Sequence, residues 1–518
     1  MARLGWVCST LASAAAIALL ASAAAFGACE PIEDDRVPNQ ILLETNPGAS
    51  ISDIEQRYGV RALDSIPEYD YWKVEVLGGQ DVDEVVSAMK KDPDIRSAEP
   101  HRHMEAPEGV QRSIPILDAQ ATTDTFRNQP AAAILHTSAA HARYTGAGVT
   151  VAVVDTAQSL RHPETAGEMA GPGLDLVGGG STAEVPANGL DDDQDGLVDE
   201  SDQHGTHIAG LVSLAAPGAR IYAIRVLEED GKGDAFTIAK GILRAIQGGV
   251  DVISLSFTMT HDSRAVERAV GDALDSGIVV VAATGNRGLG CVEFPAWLGE
   301  VVAVAAVGDD LVRAPFSNYG LETDLSAPGV DLLSTYGSDS YARWSGTSFA
   351  TPLVAGAAAL LLEKYPGLSP AEVEQVLRDT TQPDNNPPDL AGLMGTGVVD
   401  LDRVTQALTA DRTSLKLRQD PAGTVLAWSP VKDATTYDVV RGDLASLRLV
   451  GETVELGPLH CVARDTTATD TASSPDPDLP APGQAFFYLF RDDATDAGGG
   501  SYGADSDGHP RIPGPGDC

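Results

Sequence analysis

The sequence predicts an α/β protein built on a parallel sheet with helices on both faces, preceded by a small α+β unit and followed by an all-β sandwich. Three observations carry this expectation. Residues 131–410 alternate short Val- and Ile-rich runs with amphipathic helical stretches, the pattern of strands buried on both faces. Residues 37–106 run in the order strand, helix, strand, strand, helix, strand. Beyond Ala410 the helical period disappears and strand-like runs are separated by turn-rich segments.

The first 29 residues, MARLGWVCSTLASAAAIALLASAAAFGAC, combine Arg3, an apolar stretch and small residues, which reads as an export signal rather than a membrane span. Two endings stay open. Phe26-Gly27-Ala28-Cys29 resembles a lipobox, which would lipidate Cys29 and anchor the protein at a bacterial envelope; ordinary cleavage after an alanine would leave it extracellular.

In the next unit Ile41-Leu42-Leu43 reads as a strand and 51–59 as a helix. Trp72, Val74 and Val76 alternate with Tyr71, Lys73 and Glu75, as in a strand with one buried face. Val82, Val85, Val86 and Met89 mark a helix face, and IRSAEP closes a ferredoxin-like unit. Residues 107–130, with Pro107, Pro115 and a Thr/Ala-rich stretch, read as a linker. The apolar runs GVTVAVVD, ARIYAIRV, VDVISLSF, GIVVVAATGN and GEVVAVAAVG then supply sheet strands, with DAFTIAKGILRAIQGG and SRAVERAVGDALDSG as helices between them. In 411–518 the runs near 415–417, 425–428, 437–440 and 486–490 are strand-like, and the Gly/Pro-rich tail after 496 carries no pattern.

Composition excludes some partners. The 518 residues hold 35 Lys+Arg against 75 Asp+Glu, a formal charge of -40, which repels nucleic acid and anionic membrane surfaces. Of five cysteines, Cys8 goes with the signal, and Cys29 goes with it or carries lipid. Cys461 and Cys518 are expected to pair in an oxidising compartment, which leaves Cys291 single. Nothing resembles a dimer seam, and a monomer is expected.

Certain residues carry chemistry. Asp155 ends the apolar run 149–154, at the carboxyl end of a strand, where open α/β sheets gather their ligands. His204 opens HGTHIAGLVSLAA, and Ser348 lies in GTSFATPLVAGAAALLLEKY at the start of an apolar helix, with Pro352 expected in its first turn. A serine hydroxyl becomes a useful nucleophile when an imidazole takes its proton, and a buried carboxylate must orient that imidazole. Asn286, at the end of VVVAATGN, is placed to donate to an oxyanion. Asp191, Asp193, Asp195, Asp199 and Asp202 fall at positions 1, 3, 5, 9 and 12 of a calcium-loop pattern with Gly196 at 6, although position 12 is normally Glu and no flanking helices are evident. A solvated acidic loop is the alternative. His207 reads as structural, and His141 and His162 receive no role.

VAVVDT, HGTHIAG, AATGN and GTSFATPLVAG, in this order, resemble the subtilisin-like serine proteases (subtilases) over roughly 131–410. That resemblance implies Ser348 as nucleophile, His204 as general base, Asp155 as its orienting acid and Asn286 as oxyanion donor. It further implies that Ser256, Phe257, Thr258 and Gly285 line the substrate cleft. Residues 37–106 resemble the family's inhibitory propeptide, with Ala98-Glu99-Pro100 like its usual ending, which puts self-cleavage within 101–130. Residues 411–518 resemble a fibronectin type III module, with Trp428 and Tyr437 as its core aromatics. Two departures stand out: Ala157 replaces the usual Gly after Asp-Thr, and Thr258 replaces a Gly beside the first specificity pocket. The implied function is an exported, self-processing serine endopeptidase acting on proteins and peptides, with its own propeptide as inhibitor and no organic cofactor; a structural calcium ion follows only if the acidic loop 191–202 binds it. The competing readings are an inert surface-attached binding protein on the same scaffold and an esterase or amidase using the same chemistry.

Overall fold

The computed structural model describes residues 29, 35–108, 113–190 and 196–407, and beyond these a set of strands between 416 and 512. It divides into two units, residues 1–406 and 407–518.

The α+β portion forms as its alternation demands. Strands Arg36–Thr45, Val60–Ile66, Tyr71–Val76 and Ile95–Glu105 make an antiparallel sheet in which Arg36–Thr45 lies between Tyr71–Val76 and Ile95–Glu105. Helices Ile51–Tyr58 and Val82–Met89 cover one face, packing Ile54, Val85, Val86 and Met89 on Ile41, Leu43 and Val74. Both helices start on a side-chain cap, Ser50 accepting from Asp53 N–H and Asp81 from Glu84 N–H.

The period-2 pattern predicts one buried face for Tyr71–Val76, and the structure buries both. Tyr71, expected outside, is 1% exposed. With Leu42, Ile66 and Met104 it joins the core around helices Ala235–Gln247 and Arg264–Asp275, so the second face docks on the following domain. Polar contacts frame this apolar patch. Lys240 Nζ donates to Asp64 at 2.7 Å, Arg268 pairs with Glu44, and His261 pairs with Asp35 at 2.7 Å. Glu99 accepts from Ser263 Oγ and from Arg264 N–H, which supplies an anion at the N-terminus of Arg264–Asp275.

All five apolar runs become strands of one parallel sheet of seven. Its order is Leu325–Pro328, Val301–Val307, Val279–Ala283, Val252–Leu255, Thr150–Asp155, Arg220–Arg225 and Leu174–Asp175. Ala152, Val154, Ile253, Leu255, Val280 and Ala282 face helices Ala235–Gln247 and Arg264–Asp275. The long helix Thr347–Lys364 packs on five of the strands and on helix His204–Ala215. Gly356 permits that approach, because a Cβ there would come within 2.5 Å of Ala215 Cβ. Three chain segments that matter below, after Asp155, Leu255 and Ala283, leave the same carboxyl edge of neighbouring strands.

Residues 113–130, read from composition as linker, are folded. Ile116–Leu117 pairs with Ala342–Arg343, and helix Thr123–Arg127 inserts the fully buried Phe126 beside Tyr341. A single well-placed aromatic outweighs the loop-like composition around it. Helix Thr347–Lys364 also begins earlier relative to Pro352 than expected, so Pro352 lies inside it rather than in its first turn.

In the second unit the described elements are all strands. Tyr437–Asp443 pairs with both Leu459–Thr466 and Phe486–Asp492, and Lys416–Asp420 forms a hairpin with Gly423–Ala427. Trp428 lies outside the described residues.

Candidate active site

Asp155, His204 and Ser348, far apart in sequence, meet at the carboxyl edge of the sheet, and each is fully buried. Asp155 ends its strand, where Oδ1 accepts from Thr156 N–H and from His204 Nδ1–H, both at 2.7 Å. His204 is the first residue of its helix. The next position must be small, because a Cβ at Gly205 would come within 2.7 Å of the Thr156 carbonyl. The imidazole is wedged edge-on against Trp344, with ring centroids 5.5 Å apart, and lies 5.2 Å from the Phe349 ring.

Ser348 sits in the first turn of its helix. Its Oγ lies 3.1 Å from the Ser256 carbonyl oxygen, and Ser256 Oγ donates to the Ser348 carbonyl at 2.9 Å. That bond answers the displaced Pro352. Residue 352 would normally donate its N–H to the carbonyl four residues back, and proline has none. Ser256 supplies the missing donor. Asn286 follows the strand Val279–Ala283; its Oδ1 accepts from Thr347 N–H and Thr347 Oγ–H, both at 2.8 Å, which turns its NH2 toward Ser348.

One further side chain completes the site, and no sequence pattern announced it. Glu108 is wholly buried there. Its Oε2 accepts from Ser348 Oγ at 2.8 Å and from His204 Nε2–H at 3.2 Å, while Oε1 accepts from Asn286 Nδ2 at 2.8 Å. Ser348 and His204 thus meet the same carboxylate oxygen. Gly346 leaves room for this group, since a Cβ there would overlap Glu108 Oε1. Burial alone would lower the His204 pKa. The charge and hydrogen bond of Asp155, joined by those of Glu108, outweigh it and push the imidazole up to about 10. His207, one turn on, has no such partner: burial pushes it down to about 3, and Nε2–H donates to the Ala342 carbonyl at 3.1 Å. It is a neutral structural histidine, as expected.

The chain reaches Glu108 along an edge. Ile95–Glu105 runs antiparallel to Lys232–Asp234, with His103 opposite Asp234 and Met104 opposite Gly233, and Ala106 N–H donates to the Gly231 carbonyl at 2.9 Å. After Glu108 the chain is caught again, Ser113 Oγ donating to the Ser345 carbonyl and Trp344 Nε1–H to the Ser113 carbonyl.

A family model described as the subtilase family matches residues 146–397, and one described as the fervidolysin N-terminal prodomain matches 23–101. The thermostable alkaline protease of Halalkalibacterium halodurans is 31% identical over 401 residues, which span 75% of this chain and 98% of that protein. This chain belongs to the subtilase family. Subtilisin Savinase of Lederbergia lenta is 38% identical over 278 residues, covering 52% of this chain and 95% of the other. The solved structure of fervidolysin from Fervidobacterium pennivorans shares the fold, with TM-score 0.61, 20% identity and coverage of 94% of this chain and 79% of that one. As a subtilase the protein is a serine endopeptidase, and its family needs no organic cofactor.

The remaining expected site residues divide. Of the subtilase's expected cleft residues, Ser256 contacts Ser348, and Gly285, at φ +105, donates its N–H to Thr347 Oγ1 at 3.3 Å. Phe257 is buried in the core and Thr258 is 5% exposed. The edge that pairs with an extended strand here is Gly231–Asp234, whose Gly-Lys-Gly sequence was the available signal. Ala157 is buried and does not adopt positive φ, so the missing glycine there has no backbone consequence.

Asp191, Asp193 and Asp195 lie outside the described residues. Asp199 accepts from Asn188 N–H and Gly189 N–H, and Asp202 accepts from Gln203 Nε2. Among the described residues no group of three or more His, Cys, Asp or Glu is placed to hold a metal ion, and these two carboxylates do not make a calcium centre on their own.

The cysteines correct the sequence reading. Cys29 and Cys291 form a disulfide, so Cys291 is not single, and a thiol so bonded cannot carry a lipid. Pairing across 262 residues is a product of the fold and has no local signature. Cys461 is disulfide-bonded, and its expected partner Cys518 lies outside the described residues.

Proposed function

We propose that this subtilase is exported as a self-processing zymogen: an amino-terminal signal, an inhibitory prodomain reaching the active site at Glu108, a catalytic domain, and a carboxyl-terminal fibronectin type III-like sandwich. The reading rests on one observation. The Glu108 carboxylate sits among Ser348 Oγ, His204 Nε2 and Asn286 Nδ2, the groups a reacting peptide would have to meet.

In the processed enzyme an extended substrate adds to the edge Gly231–Asp234 as residues 103–106 do in the precursor. Its carbonyl oxygen takes the position of Glu108 Oε1 beside Asn286. Ser348 Oγ attacks the carbonyl carbon, and His204 Nε2 accepts the hydroxyl proton while Asp155 holds Nδ1–H. Asn286 donates to the oxyanion, His204 returns the proton to the departing amine, and water then hydrolyses the ester. Processing of the chain itself requires the Glu108 side chain to withdraw so that a backbone carbonyl of residues 106–112 can occupy the same place. The substrates are proteins and peptides in extended conformation.

Labelling by an active-site phosphonate tests the assignment. The processed enzyme is expected to carry one label, on Ser348, and Ser348→Ala none; labelling of the alanine variant at the same rate contradicts it. The same proposal keeps residues 191–202 as a calcium loop leading into His204, resting on carboxylate spacing. EDTA is then expected to lower the thermal transition, and an unchanged transition counts against the loop.

A further inference from the structure

The Cys29–Cys291 disulfide spans residues 106–112, where the processing proposed above would fall. Cys29 precedes the first prodomain strand, and Cys291 lies on the loop that carries Asn286, closed by Glu293 N–H donating to the Thr284 carbonyl at 3.1 Å. Backbone hydrolysis anywhere in 106–112 therefore leaves a second covalent path between the two pieces. We propose that the processed enzyme is a two-chain molecule, in which the prodomain stays on the catalytic domain as a covalently attached inhibitory subunit. The proposal rests on the self-processing reading above.

The chemistry balances simply. Cleavage adds one water across one peptide bond and leaves the disulfide untouched. Release needs two electrons and two protons from a dithiol, which becomes a disulfide while Cys29 and Cys291 become thiols. Formation is the reverse exchange with a disulfide-donor oxidant of the export compartment. Cys29 is 8% exposed and Cys291 7%, so the closed molecule shields the bond from reductants.

Cutting the chain does not remove the docking surface. Leu42 and Tyr71 remain in the shared core, Glu99 on the Arg264 helix and Asp64 on Lys240. A tether of this kind holds a dissociated piece at an effective concentration on the order of 1 mM, roughly 10,000 times that of an enzyme assayed at ~0.1 μM. Inhibition by the prodomain then does not fall on dilution, as it does for a separate chain.

The test is intact mass of the wild-type protein, allowed to process, quenched with an active-site phosphonate, and measured with and without dithiothreitol. The expected result is one species without reductant, heavier than the uncut exported chain by one water and the bound label, which reductant splits into two chains. Two separate chains before reduction would overturn the proposal while leaving self-processing intact. A single uncut chain after reduction would overturn the processing reading and this proposal with it. Cys29→Ser gives an independent readout. After processing, its specific activity is expected to rise at least tenfold on thousandfold dilution, while the wild type rises only when reductant is added. An equal rise in the unreduced wild type would overturn the tether.

Discussion

Replacing Glu108 by Gln changes one oxygen to NH2 and removes a charge. The carboxylate accepts from three donors, and the amide oxygen can serve only one side of the site. If it stays with Asn286, the NH2 faces the protonated Nε2 of His204, donor against donor. Each hydrogen bond to a charged partner contributes about 1.5–3 kcal/mol, and breaking a buried ion pair costs about 3–5 kcal/mol. The cleft can open and hydrate the orphaned groups, so the net loss of closure is about 2–4 kcal/mol. That is a roughly 30- to 1000-fold rise in the open fraction. The assay is the rate at which an active-site phosphonate labels Ser348 in unprocessed precursor, with chain integrity followed in the same samples. The glutamine precursor is expected to label faster by that factor. Equal rates in two intact precursors would refute the claim that Glu108 closes the site.

The other predictions concern the same few atoms. The His204 pKa is raised in the closed precursor, so the stabilisation it provides is fully present below the ordinary histidine value of about 6.5 and is lost as pH rises through about 10. Precursor labelling should therefore accelerate across that window, and Glu108→Gln should flatten the upper part of the profile. Asn286→Ala, processed in trans by a trace of wild type, should lose about 100- to 1000-fold in kcat with KM little changed; a change confined to KM would contradict an oxyanion role. Ser256→Ala leaves the Ser348 carbonyl without the donor that Pro352 lacks. It should lower kcat by roughly 3- to 30-fold, in line with about 1–2 kcal/mol for one hydrogen bond. Ser256→Thr should restore much of the rate, and an unchanged kcat in the alanine variant would sink the positioning role.

Much of this molecule was legible along the chain because its signals are local. The strands ending at Asp155 and preceding Asn286 are uninterrupted apolar runs, and the helices opening at His204 and just before Ser348 each have a glycine beside their first residue. Period and position therefore located these groups without any knowledge of contacts. What escaped the sequence depends on pieces distant in sequence. Tyr71 looked solvent-facing because period 2 cannot reveal that a second domain covers the other side of its sheet. Glu108 follows a proline in an unpatterned segment, and its role comes from the strand Ile95–Glu105 docking on Lys232–Asp234. Cys29 and Cys291 carry no pairing signal, and the fold alone brings them together. Pro352 seemed to mark a first turn because the Ser256 hydroxyl that lets it sit deeper in the helix comes from the segment after strand Val252–Leu255.

The most direct measurement is the reduced intact mass of the exported wild-type chain beside Ser348→Ala prepared identically. The wild type is expected to split at a bond within residues 106–112 while the alanine variant stays whole. Identical trimming of both would show that Ser348 does not cut its own chain, and two intact chains at pH 9 would contradict self-processing altogether.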